Sequence, residues 1–60
     1  MRRRDFIRLI EENGWEFVRE GGEHTIYQKA GRIFSVPRHR EISPGVVRSW
    51  RRENERTEEA

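Results

Sequence analysis

The sequence contains no cysteine, and this absence removes two common ways of reinforcing a small domain. Neither a disulfide nor a thiolate metal site can support the core, and the redox compartment is left open beyond being compatible with cytoplasm. The 60 residues allow a single domain. Folding a chain this short buries roughly 60% of the surface that its unfolded form exposes. We therefore expect modest stability, to which a partner protein adds.

Long hydrophobic runs are also missing. No apolar stretch approaches the roughly 20 residues that a transmembrane helix requires. The segment from Met1 to Arg4 is basic, like the start of a signal peptide. The apolar region that would have to follow is interrupted by Arg8, Glu11 and Glu12. We therefore expect no secretion signal, no membrane association and a cytoplasmic location.

The signatures of common nucleotide and hydrolase sites are absent as well. Without a Walker loop, a dinucleotide fingerprint or a nucleophile elbow, chemistry based on ATP, NAD or a serine nucleophile has no support. The two histidines, His24 and His39, have neither cysteines beside them nor the helical spacing of a zinc pair. We therefore expect no metal and no cofactor.

Charge is abundant, at 40% of the residues, and the formal net charge is +2. Residues 1–50 hold ten Lys and Arg against seven Asp and Glu, whereas residues 51–60 hold three against four. The apolar residues cluster in periodic segments within the basic part, as in folded chains. This distribution permits contacts with phosphate groups but does not demand them.

The periodicity predicts five elements in the order helix, strand, strand, strand, helix. They are a helix over 5–13, strands over 15–19, 24–29 and 32–36, and a helix that begins at Ser43 and Pro44. Glycine at position 14 and glycine-containing turns at 21–22 and 30–31 separate the first four. Ser43 is expected to cap the last helix and Pro44 to occupy its first turn.

This order predicts an α+β fold in which both helices cover one face of a three-stranded antiparallel sheet and leave the other face available. Trp15 and Trp50 lie in register with the apolar positions and are expected in the core. Beyond Arg52 no apolar residue precedes Ala60. We therefore expect the helix to fray, giving one domain over 1–52 and a charged tail over 53–60.

Two positions are candidates for chemistry. His24 begins the second predicted strand after Gly22 and Glu23, and the adjacent glycines let a ligand backbone approach and leave amides exposed. His39 lies between Arg38 and Arg40, a cationic run suited to phosphate contacts. The alternatives are a partly exposed histidine at a strand end and an ordinary charged loop.

The orientation of the second strand distinguishes these interpretations of His24. Side chains alternate along a strand, so Tyr27 points away from His24 and Ile26. A functional His24 requires Tyr27 to face the core and Ile26 to be exposed or covered by a partner. A structural role would bury Ile26 and expose Tyr27. The sequence does not choose between these registers.

Several short motifs occur in order along the chain. They are Gly14-Trp15, Val18-Arg19, Gly22-x-His24, Tyr27, Val36-Pro37-x-His39 and Ser43-Pro44-Gly45-x-x-Arg48. In this combination the chain resembles the HicA toxin family from about Asp5 to Trp50. The resemblance implies a fold like that of double-stranded-RNA-binding domains (dsRBD-like), with the order α-β-β-β-α.

The resemblance further implies the toxin of a type II toxin–antitoxin system, an endoribonuclease that cuts mRNA. His24 corresponds to the histidine that performs the catalysis, and a HicB-like antitoxin would cover it in a heteromeric complex, with a homo-oligomer as another possibility. Because unperturbed histidine titrates near pH 6.5, it can act as general acid or base in metal-independent RNA cleavage. We assign RNA binding to Gly22, Arg38, His39 and Arg40.

One position departs from the common family pattern, because Glu23 stands where many members have serine. A carboxylate here could orient His24 or repel phosphate, although a regular strand would point the two side chains apart. The alternatives to a toxin are a non-catalytic RNA-binding module and a domain that only binds a protein partner. Salt-sensitive RNA binding without cleavage would indicate the module.

Overall fold

A computed structural model of the chain describes residues 1–59 and has the predicted order of elements. Helix α1 is Arg3–Glu12, the strands are β1 Glu16–Glu20, β2 His24–Lys29 and β3 Arg32–Pro37, and helix α2 is Pro44–Glu59. The strands form one antiparallel sheet in the order β1-β2-β3. The predicted α+β fold is therefore confirmed.

Local signals explain the ends of several elements. Gly14 has a φ of +89°, and the Trp15 and Gly14 amides donate to the carbonyls of Ile10 and Glu11. This is the Schellman arrangement that closes a helix at a left-handed residue. Ala30 and Gly31, both with positive φ, form the tight turn between β2 and β3.

The core lies between the two helices and one face of the sheet. Phe6 of α1 is fully buried, with its ring centroid 5.8 Å from that of Trp50 in α2 and 6.3 Å from that of Phe34 in β3. Trp15, predicted for the core, is also buried. Its ring lies edge-on to Phe34, so a connected aromatic cluster joins α1, α2 and β3.

The second helix is longer than predicted. It begins as expected, with the Ser43 hydroxyl accepting from the Val46 amide, but it continues to Glu59 instead of fraying near Arg52. The expectation of a frayed helix is wrong because polar side chains dock the last turns. The Trp15 indole donates to Asn54 Oδ1 at 2.9 Å, and Thr57 is buried. Ala60 lies outside the described residues.

Strand β1 contains an irregularity that decides which side chains share a face. Phe17 pairs with Tyr27, but the next pair is Arg19 with Ile26, which leaves Val18 as an extra residue. Such a bulge shifts the alternation of all residues beyond it. As a result, Arg19 lies on the same face as Ile26 and not on the side of the helices.

Candidate functional site

The face of the sheet away from the helices carries the candidate site. We call it the open face; by strand register it comprises Glu16, Arg19, His24, Ile26, Gln28, Ile33, Ser35 and Pro37. His24 is exposed, and Tyr27 points into the core with 5% of its surface accessible. The strand therefore adopts the register that a functional His24 requires, with Ile26 half-buried on the open face.

The turn before His24 is closed by the backbone. The Gly21 amide donates to the His24 carbonyl at 2.9 Å, and the His24 amide donates to the Gly21 carbonyl at 3.4 Å. Across the sheet His24 pairs with Pro37, the last residue of β3. The position of the His24 backbone is thus set by both a turn and a neighbouring strand.

A hydrogen-bonded cluster lies behind this turn, on the helix side of the sheet. We call it the Glu20 network; its members are Arg3, Glu20, Thr25 and Arg38. The buried Thr25 hydroxyl donates to Glu20 Oε1 at 2.8 Å and accepts from Arg3 Nη2 at 2.6 Å. The network connects the start of α1 to the strand residues on either side of the His24 turn.

Arg38 completes the Glu20 network from the loop after β3. Its Nε and Nη2 donate to Glu20 Oε1 at 3.1 and 2.7 Å, and Nη2 also donates to the Gly21 carbonyl at 2.6 Å. The sequence indicated Arg38 as a phosphate ligand. The structure shows that part of its guanidinium holds the turn in front of His24 and leaves the N–H groups of Nη1 for a ligand.

The network lowers the pKa of Glu20 below its ordinary value of 4.5. The Thr25 hydroxyl hydrogen bond is the main cause, and the hydrogen bond and charge of Arg38 contribute further. Because the folded-state pKa is lowered, this stabilisation is fully present above about pH 4.5 and is lost as the pH falls through the lower folded value.

We expect Glu20→Gln to be less stable than wild type at pH 7. The difference in melting temperature should shrink as the pH falls below 4.5 and should be smallest below the lowered folded-state pKa, where Glu20 is neutral in both states. Thermal unfolding of both proteins between pH 3 and 7 measures this. Glu16→Gln, on the same strand, is the matched control, because no described ion pair involves Glu16. A difference that persists unchanged at pH 3 would contradict the assignment.

His39 and Arg40 are exposed in the loop between β3 and α2. The Arg40 carbonyl accepts from the Arg3 amide at 2.8 Å, and Arg2 forms an isolated antiparallel bridge with Glu41. The beginning of the chain therefore runs beside this loop and brings Arg2 to it. The sequence analysis missed Arg2 because the bridge joins residues that are far apart in the chain.

Gly22 occupies open space in the turn before His24. A Cβ at this position would have no heavy atom within 4 Å, apart from its chain neighbours, and the φ of Gly22 is not in the left-handed region. Nothing within the described structure therefore requires glycine here. Glu23 beside it is exposed, and the structure gives it no ion pair within residues 1–59.

Arg19 belongs to the Val18-Arg19 motif, but the sequence analysis gave it no role in the site. By register it lies diagonally across from His24 on the open face, since its partner Ile26 is two residues beyond His24. A regular strand would have pointed Arg19 toward the helices. The bulge at Val18 brings this side chain to the open face, and no local pattern in the sequence predicts that bulge.

Residues 1–59 show neither a cluster of metal-ligand side chains nor a membrane-spanning helix. In that range no three histidine or carboxylate side chains converge as a metal cluster. None of the helices in the described part is long and apolar enough to cross a bilayer.

Together these features define a small dsRBD-like α+β domain with an exposed histidine and several arginines around one turn. A family model described as "HicA toxin of bacterial toxin-antitoxin" matches residues 3–54. The chain therefore belongs to the HicA toxin family of toxin–antitoxin systems, as its motifs suggested. A comparison with curated proteins finds no match, and neither does a comparison with solved structures.

Proposed function

We propose that this protein is a metal-independent endoribonuclease that cuts mRNA, with His24 as general acid or base. The main support is the position of His24, exposed on the open face at a fixed glycine turn in a chain of the HicA toxin family. An exposed histidine beside a backbone turn can approach a phosphodiester without any rearrangement of the core.

The chemistry requires two proton transfers. A base removes the proton of the ribose 2′-hydroxyl, the 2′-oxygen attacks the adjacent phosphorus, and the bond to the 5′-oxygen breaks as an acid protonates that oxygen. The products carry a 2′,3′-cyclic phosphate and a free 5′-hydroxyl. His24 performs one of the two transfers, and water or His39 supplies the other.

Cationic side chains around the turn would hold the RNA. Arg40 and His39 are exposed, and Arg38 retains free N–H groups on Nη1. Arginine suits this task because its planar fork can donate two hydrogen bonds to one phosphate. The arrangement supports binding of the RNA backbone rather than readout of a particular base sequence.

The test is incubation of the purified protein with a labelled single-stranded RNA in EDTA. Fragments that end in 2′,3′-cyclic phosphate are expected, and an all-deoxy strand of the same sequence should remain intact because it lacks the attacking hydroxyl. Cleavage of both strands, or cleavage that EDTA stops, would contradict the mechanism. RNA binding without any cleavage would indicate a binding module.

Gly22 gives a further prediction. Gly22→Ala is expected to melt within a few degrees of wild type, because the added methyl group meets no described atom, yet to bind and cut RNA less well. An approaching phosphate backbone is what the methyl group would obstruct. Melting curves and single-turnover cleavage rates measure the two effects. Unchanged cleavage by a folded Gly22→Ala protein would remove Gly22 from the proposed RNA contacts.

We also propose a HicB-like antitoxin as the partner and the cytoplasm as the site of action. The open face suits coverage by a protein because Ile33 is 56% exposed there and Ile26 only half-buried. Apolar side chains of this size commonly contribute to the core of a protein interface. An antitoxin seated on this face would cover His24 at the same time.

A further inference from the structure

Arg19 is part of a sequence motif, but neither the motif nor the family match gives it a role. We propose that its guanidinium binds the RNA phosphate next to the bond that His24 cuts. This proposal rests on the proposed ribonuclease function and adds a residue to it. Three observations support it: the face on which Arg19 lies, the glycine beneath its guanidinium and the lack of an acidic partner.

The first observation is the register of β1. Arg19 pairs with Ile26, so the two side chains and His24 share the open face. Diagonal neighbours across an antiparallel pair lie about 7–8 Å apart, which long side chains can span. A phosphate between Arg19 and His24 would therefore be within reach of both.

The second observation is the contact with Gly21. A Cβ on Gly21 would lie 3.1 Å from Arg19 Nη1 and 3.6 Å from the His24 carbonyl oxygen. The guanidinium thus lies over the turn whose backbone is bonded to His24. A Cβ on Gly21 would shift the end of the Arg19 side chain only slightly, so this contact shows where the guanidinium lies and does not by itself require glycine.

The third observation concerns charge. Lys29, Arg32, Arg38 and Arg56 each have a carboxylate partner within 4 Å. Within residues 1–59 Arg19 has no such partner, and it is exposed. A cation without a carboxylate keeps its full attraction for an anion, whereas the charge of Arg38 is largely offset by Glu20.

The geometry of arginine also suits the reaction. Negative charge accumulates on the phosphate oxygens as the 2′-oxygen attacks, and a guanidinium donates two parallel hydrogen bonds to such a group. Arg19 would therefore strengthen binding of the RNA and stabilise the transition state. Lysine in its place would keep the charge but lose the paired hydrogen bonds.

The test measures binding and cleavage separately. The binding probe is a 2′-O-methyl oligoribonucleotide, which keeps its phosphates but has no hydroxyl to attack them. Arg19→Gln is expected to weaken binding of this oligonucleotide about 10-fold, as for loss of one hydrogen-bonded charge contact. It should also make the slope of log binding constant against log salt concentration shallower by about 0.7. Arg19→Lys should recover part of the binding and less of the cleavage rate.

Arg8→Gln is the matched control, because it removes the same charge from an exposed position on α1, in the helix layer. Arg8→Gln should leave the salt dependence of binding unchanged and should change the cleavage rate by no more than twofold. If Arg19→Gln binds with the wild-type affinity and slope while wild type still cuts RNA, the Arg19 proposal is wrong and the ribonuclease proposal stands. If folded wild type neither binds nor cuts RNA, both fail.

Discussion

Replacing His24 with alanine is expected to lower the rate of RNA cleavage about 10²–10⁴-fold, the usual contribution of one positioned acid or base. The fold should survive, because His24 is exposed and its turn and strand contacts are made by the backbone. Single-turnover cleavage of a labelled RNA measures the loss. Binding of a 2′-O-methyl oligonucleotide should change far less than the rate does.

One control variant and one further test accompany this prediction. Gln28→Ala alters another exposed residue of β2 on the open face and should leave cleavage near the wild-type rate. His39→Ala tests whether the second histidine performs the other proton transfer, in which case it too should reduce the rate by at least tenfold. Equal cleavage by folded wild type and His24→Ala would overturn the role of His24.

The largest expected effect on stability comes from Phe6→Ala. Removing a fully buried phenylalanine costs about 3–5 kcal/mol, which is about all that the core of so small a domain supplies. We therefore expect the variant to be largely unfolded at 25 °C, with the far-ultraviolet circular dichroism signal of a disordered chain. Cleavage should disappear with the fold.

Phe17→Ala is the control for this prediction. Phe17 is 54% exposed, and its main described aromatic contact is an edge-on one with Tyr27 at 6.1 Å between ring centroids. Its removal should cost about 1 kcal/mol, of the order of one aromatic pair, and leave a cooperative melting transition. A Phe6→Ala protein that melts at the wild-type temperature would contradict the description of the core.

Most of the fold was predictable because its signals are local. The left-handed conformation at Gly14, the turn at Ala30 and Gly31, and the cap at Ser43 each depend on a few adjacent residues. The extent of α2 was not predictable in this way. Its last turns are held by contacts such as that between Trp15 and Asn54, which are 39 positions apart.

The candidate site was predictable in part. The position of His24 follows from its glycine turn and from the resemblance to the HicA family. The role of Arg38 in holding that turn depends on Glu20, which lies in β1, 18 positions earlier in the chain. The run of cations around His39 therefore gave no indication of it. The place of Arg19 on the open face was not predicted for a similar reason, because the residues next to it in the chain do not indicate the bulge at Val18.

The extra residue at Val18 makes the length of β1 as important as its composition. Deleting Val18 would remove the extra residue and give a regular ladder in which Phe17, Arg19 and Glu20 keep their present partners and faces. A second inserted residue beside Val18, in contrast, would move Arg19 or Phe17 to the other face, so this strand should tolerate a deletion better than an insertion. When this protein is aligned with a relative whose first strand has no bulge, a one-residue gap belongs at Val18, and an alignment without it would assign residues to the wrong side of the sheet.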